Sequence, residues 1–191
     1  MSRAWKIRNV DPAASVAENA RRVLAVRVAE FYSFAPAVPH PELTEALHDL
    51  RIAGKRLRYT LELFRPWLAE EAERQIERLK AIQNALGALH DHDVRIAVIS
   101  EELARFGGDA APREWEAEAS LPGAVPDQEL PPDALRRGLL ALLDREQAAR
   151  QAAFATFREL WDRFAAEGMR AELVRLSAAP VREHSAVEEV A

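Results

Sequence analysis

Apolar residues recur along this chain at spacings of three and four and never gather into alternating runs, a pattern that predicts helices and gives strands little support. Val16, Ala20, Val23, Val26 (or Arg27) and Glu30/Phe31 form an approximate helical stripe. With Asp11 and Pro12 offering a cap and a first-turn proline, a first helix is expected from about Asp11 or Ser15 to Phe34. The stretch Pro36 to Pro41 breaks it. A second helix is expected from about Glu42 to Phe64, ending near Pro66, and a third from about Glu70 to Arg105, bounded by Gly107 and Gly108. Residues 107–132 hold Pro112, Pro122, Pro126, Pro131 and Pro132 and read as a long irregular connection with a short helical turn around Arg113–Ala119. A fourth helix is expected from Asp133 to Ala166 and, after a break at Gly168, a short fifth over Met169–Ser177. Residues 1–10 are expected as an N-terminal tail, 11–177 as one domain, and 178–191 as a disordered C-terminal tail. Four long helical segments predict an all-α fold, an antiparallel four-helix bundle with a short extra C-terminal helix.

On a helical wheel of about 100° per residue, Leu47, Leu50, Gly54, Leu57, Leu61 and Phe64 share one arc of the second helix and form a core face. His48, Arg51, Lys55 and Arg58 form a second stripe beside it, at spacings of three, four and three. Ile52, Arg56, Tyr59 and Leu63 fall on a third, partly apolar arc. A solvated basic face normally lies opposite the apolar arc, whereas this one is flanked by apolar residues on both sides. The expectation is a helix packed on two sides with its cations turned to a groove. Like charges one turn apart repel by a few tenths of a kcal/mol per pair, roughly, so a compensating anion is expected. Such a row suits a linear chain of phosphates, with Arg supplying forked donors. The plainer alternative is that acids on neighbouring helices pair with these cations.

The third helix carries Leu86-Gly87-Ala88-Leu89-His90-Asp91-His92-Asp93-Val94. Leu79, Leu86, Leu89, His90, Asp93 and Ala97 share a face, which sets Asp93 in an apolar stripe. A buried carboxylate needs a partner, and the expected ones are Arg51, Lys55 or Arg58. Asp91 lies on a different arc with Lys80, Asn84 and Gly87. His90, Asp91, His92 and Asp93 are all metal-ligand types, but neighbours at i+1 and i+2 point apart on a helix, leaving only His90 and Asp93 on one side. No metal site is therefore expected.

Composition narrows the classes further. Apolar residues make up 49% and charged residues 30% of the 191, ordinary for a globular chain. The absence of cysteine excludes a disulfide framework and a cysteine nucleophile. No stretch reads as a signal peptide or a transmembrane helix, so a cytoplasmic location away from membranes is expected. The net charge of −5 weighs against a polyanion partner, but residues 1–65 hold 11 Lys and Arg against 7 Asp and Glu, and the remainder 15 against 24. A local basic site on an acidic body follows. Duplex DNA, which wants a broad basic face, is disfavoured, and with Tyr59 the one aromatic beside the stripe, a stacking platform for single strands is lacking. Trp161 with Phe154, Phe157 and Phe164 reads as core packing.

Two segments together resemble the CHAD family, the conserved histidine α-helical domain: His48-x-x-Arg51-x-x-x-Lys55-Arg56-x-Arg58 on one helix and Leu86-Gly87-x-Leu89-His90-Asp91-x-Asp93-Val94 on the next. Arg21-Arg22-Val23-Leu24 is similar to the family's opening helix. The resemblance is sharp over residues 42–100 and loose over the rest of about 13–176. It implies an all-α domain that binds inorganic polyphosphate without catalysis and without a cofactor. By match to the motif, His48, Arg51, Lys55, Arg56 and Arg58 become ligand candidates, with Lys80, Arg22 and Arg145 as additions and Asp91 and Asp93 as supporting acids. One copy of the motif is present where family members often hold two, so a homodimer that rebuilds the two-bundle surface is an expectation. His90 stands where the family carries Arg, so binding is expected to strengthen below about pH 6.5. Association with polyphosphate granules would follow. The alternatives are a metal-dependent phosphohydrolase built on His48, Asp49, His90, Asp91 and Asp93, and a helical bundle that recognises an acidic protein partner.

Overall fold

A computed structural model describes residues 3–178 except 9, 69 and 107–131. Among the described residues the chain is all-helical, with no strand. The helices are α1 (Val16–Ser33), α2 (Thr44–Leu63), α3 (Glu71–Phe106), α4 (Pro132–Ala166) and α5 (Met169–Ala178), with 3₁₀ turns at Ala35–Ala37 and Arg65–Trp67. The turn expected at Arg113–Ala119 and the C-terminal tail lie outside the described residues.

Local chemistry sets the boundaries. Ser15, rather than Asp11, caps α1: its hydroxyl accepts from Glu18 N–H at 3.2 Å while the Glu18 carboxylate accepts from Ser15 N–H at 2.8 Å. This reciprocal box satisfies two of the free donors at the helix start. Asp11 instead closes a turn upstream, its carbonyl accepting from Ala14 N–H and the Asn19 side chain. Pro36 cannot continue α1, and the chain tightens into the first 3₁₀ turn. Gly168 takes φ +79°, where a side chain is strained, and this lets α4 stop and α5 turn back.

The described residues fall in two compact units, Met1–His90 with Ala153–Ala191, and Asp91–Ala152, so that α3 and α4 supply segments to both. In the first unit α1 contributes Leu24, Val28 and Phe31 to the core, α2 Leu47, Leu50, Leu57 and Leu61, and α3 Ile76, Leu79, Ile82, Leu86 and Leu89. Phe157 and Phe164 of α4 and Met169, Leu173 and Leu176 of α5 complete it. Each large apolar side chain so buried contributes about 1.5–3 kcal/mol. Trp161 packs on Phe31, Tyr32 and Phe157 at ring separations of 5.5, 5.9 and 6.2 Å, as the aromatic spacing of α4 predicts. Phe64, expected on the core arc of α2, is half-buried at the C-cap.

Contacts between α2 and α3 run in opposite senses: His48 meets His90, Arg51 lies by Gly87, and Gly54 and Arg58 lie by Gln83. The two helices are antiparallel. α5 is fastened to α3 by Glu172, which accepts from Gln75, from Arg78 at 2.8 Å and from Arg74 at 3.5 Å.

The second unit pairs the distal part of α3 with the first part of α4. Arg150 donates to Asp93, and Glu146 accepts from His92 at 2.7 Å and from Arg95 at 3.5 Å. The expected partners of Asp93 were cations of α2; its partner is Arg150, because α4 runs alongside this turn of α3. Wheel geometry gives the face a residue occupies and leaves open which helix covers it.

A Cβ on Gly54 would stand 3.2 Å from Cε2 of Phe31, a fully buried ring held by Tyr32 and Trp161. A Cβ on Gly138 would meet nothing within 4 Å. Gly54→Ala therefore loses about 1 kcal/mol of stability, overpacking exceeding the gain in helix propensity, while Gly138→Ala gains up to about 1 kcal/mol. Urea melts of the two variants check the opposite signs.

Candidate anion-binding site on the second helix

The core arc of α2 fixes where its cations project. Leu47, Leu50, Ala53, Gly54, Leu57 and Leu61 are buried, and the stripe His48, Arg51, Lys55 and Arg58 follows at the seam with α3. The second apolar flank is not packed at its far end: Tyr59 is 49% and Leu63 68% exposed, so the groove expected there is open. Among the described residues no helix covers that turn.

Each cation meets a different fate. Arg51 is half-buried and lies across the bare backbone of Gly87, its Nε 3.8 Å from where a Cβ there would sit. That Nε is buried without a hydrogen-bond partner, and Arg51 enters no ion pair among the described residues. His48 stacks obliquely on His90, ring centroids 4.5 Å apart, and its Nδ1 is likewise buried and unmatched. Lys55 is exposed, with Nζ 5.7 Å from the centre of the Tyr59 ring. Arg58 is engaged by the protein itself. Its Nε donates to Gln83 at 3.2 Å, one Nη pairs with Glu62, and its guanidinium lies 4.5 Å from the Tyr59 ring.

Arg56, from the same motif, turns away from the stripe. It donates at 2.8 Å to Glu30, whose side chain is fully buried and also holds Arg27. Lys80 pairs at the surface with Glu77 at 2.6 Å, and Arg22 with Asp11 at 3.6 Å. Arg145 is exposed on the part of α4 in the second unit, with Asp93 and Asp91; Asp91 is exposed and joins no ion pair among the described residues. The structure thus brings together His48, Arg51, Lys55 and Arg58 with His90. It spends Arg56 on a buried carboxylate and leaves Lys80 and Arg22 off the stripe, while Arg145 belongs to the second unit.

Gln83 was missed by the sequence reading. It shares the α3 face of Leu79, Leu86 and His90, and its Nε2 is a third buried nitrogen at this seam without a partner. A polar residue on an apolar arc was the available signal. Buried polar atoms are matched in the great majority of cases, and an unmatched one costs about 1–3 kcal/mol. Three of them lie along this one seam, beside the exposed Lys55.

Among the described residues no group of three or more His, Asp or Glu side chains converges to hold a metal ion. His48 and His90 meet, while His92 and Asp93 engage Glu146 and Arg150. The His92 hydrogen bond lowers the Glu146 carboxyl below its usual range. Burial, then the adjacent His90, lower the His48 imidazole; Asp49 pulls the other way and Arg51 adds to the lowering. No helix among the described residues is long and apolar enough to cross a membrane.

The model of the CHAD domain matches residues 2–100. No curated protein and no solved structure matches the chain.

Because the folded state depresses the His48 pKa from 6.5, the unfolded chain takes up that proton first. The His48 contribution therefore lowers stability as pH falls through 6.5, until the folded imidazole also protonates. Thermal melts from pH 7.5 to 5.5 should show a loss that is smaller in His48→Gln.

Proposed function

The chain belongs to the CHAD family, and from that premise we propose that it binds inorganic polyphosphate, without catalysing a reaction on it, through the α2 stripe of His48, Arg51, Lys55 and Arg58. The observation that carries this reading is the line of unmatched buried nitrogens, His48 Nδ1, Arg51 Nε and Gln83 Nε2, along the seam of α2 and α3. The seam offers donors at helical intervals, and a phosphate chain offers acceptors at every unit. Gly87 has a part in it: the Arg51 side chain rests against its bare backbone, Nε 3.8 Å from where a Cβ would sit. Arg56 supports the stripe indirectly by anchoring α2 to α1 through Glu30.

The same proposal includes an antiparallel four-helix arrangement, for which the antiparallel contacts of α2 and α3 speak. It includes a homodimer, for which the single copy of the motif speaks, and a cytoplasmic location at polyphosphate granules.

Calorimetric titration with long-chain polyphosphate tests it. The wild type should bind, with affinity falling as salt rises. Arg51→Ala/Lys55→Ala should bind at least about tenfold more weakly while melting as the wild type does. An anion seated against His48 restores its basicity, so binding should tighten as pH falls from 7.5 to 6. Turnover that needs added divalent metal and stops with EDTA would establish the phosphohydrolase reading instead. Indifference to polyphosphate in a folded protein would favour the acidic protein partner.

Arg51 can also be dislodged without touching a charge. Gly87→Leu fills its resting place, and polyphosphate affinity should fall about tenfold with the helix content unchanged by circular dichroism.

A further inference from the structure

A second cluster of positive charge lies elsewhere in the first unit. Lys6 and Arg8 of the segment before α1, together with Arg21 and Arg22 of α1, line an open hollow of about 570 Å³ whose described lining residues include no carboxylate; Asp11, 3.6 Å from Arg22, is the acid that approaches these cations. None of its residues belongs to α2 or α3, so it is separate from the stripe. Lys6 and Arg8 are exposed and form no ion pair among the described residues. Arg21 is held in place by donating to the Ala17 carbonyl at 2.9 Å. Four cations around one hollow, in a chain with a net charge of −5, concentrate a field that favours an anion.

Apart from Ser177, the rest of the wall is apolar and specifies more than a bare phosphate. Trp5 stands at the cavity 44% exposed, with Val26 beside it. The backbone of Trp5 is fixed on both sides: its N–H donates to the buried Glu30 carboxylate at 3.2 Å, and its carbonyl accepts from Arg27 at 3.3 Å. The backbone of Trp5 is thus anchored, and the residue lines the hollow together with the cations. A flat ring gains stacking on an exposed indole, while forked arginine donors suit phosphate oxygens.

We propose that this cavity is a second binding site, for a small organic phosphate of the nucleotide type, with its ring on Trp5 and its phosphates on Lys6, Arg8, Arg21 and Arg22. The site is independent of the polyphosphate reading, since it shares no residue with the α2 stripe.

Titration with ATP, with tripolyphosphate and adenosine as comparison ligands, tests it on the whole chain. ATP should bind more tightly than either part. Trp5→Ala and, separately, Lys6→Ala/Arg8→Ala should each weaken ATP about tenfold with melting curves unchanged, and leave long-chain polyphosphate binding as it was. Arg51→Ala/Lys55→Ala should leave ATP binding as it was. The site is overturned if the wild type takes up no ATP at millimolar concentration, if ATP survives Lys6→Ala/Arg8→Ala, or if it is lost with Arg51→Ala/Lys55→Ala. The nucleotide class is overturned if tripolyphosphate binds as tightly as ATP and Trp5→Ala changes neither.

Discussion

Glu30 is the carboxylate on which the first unit is hung. Its side chain is fully buried, a state that an ion tolerates only when matched on every side. Arg27 meets it from one turn earlier on α1, Arg56 from α2, and the N–H of Trp5 from the segment upstream. One ion therefore ties three stretches of chain that have no covalent reason to meet. It also fixes the rotation of α2. With Arg56 committed to α1 and Leu50 and Leu57 committed to the core, the remaining cations have one direction left, toward the seam with α3.

That seam works by an imbalance. Several charges elsewhere are closely matched: Glu172 accepts from three donors, Glu146 from two, and Asp93 has Arg150. Along α2, Arg51 and Lys55 form no ion pair among the described residues, and Arg51 lies against Gly87. Arg58 marks the limit, since Glu62 and Gln83 already hold it. Affinity there is expected to come from the His48 to Lys55 part of the stripe more than from its C-terminal end.

Much of this could be read from the sequence. The periodicity located all five helices to within two or three residues, because long amphipathic segments and proline and glycine breaks are local signals. The α2 wheel separated a core arc from a cationic stripe, and the aromatic spacing of α4 identified Phe157 and Trp161 as core. Pairings between helices were another matter. Asp93 was assigned to α2 and belongs with Arg150; Arg56 was grouped with the stripe and belongs with Glu30. The wheel set Arg56 on an arc apart from the stripe, and the family motif grouped it with the stripe; for both residues the partner depended on which helix packs there, and that is decided by the whole core. Gln83 and the pocket around Trp5 went unremarked for the same reason: each acquires its surroundings only through tertiary packing.

The first unit is assembled from the two ends of the chain, and this bears on how it comes into being. Gln75 and Glu172 are bonded across 97 residues, and Phe31 meets Trp161 in the core. During synthesis α1, α2 and the start of α3 leave the ribosome with Leu24, Phe31 and Leu79 still open to solvent, and they stay open until α4 and α5 arrive. Contacts so distant in sequence slow folding, and the half-made intermediate is adhesive. Until α5, only 10 residues long, has been made, this core cannot close, and its open apolar side chains favour off-pathway association for that interval.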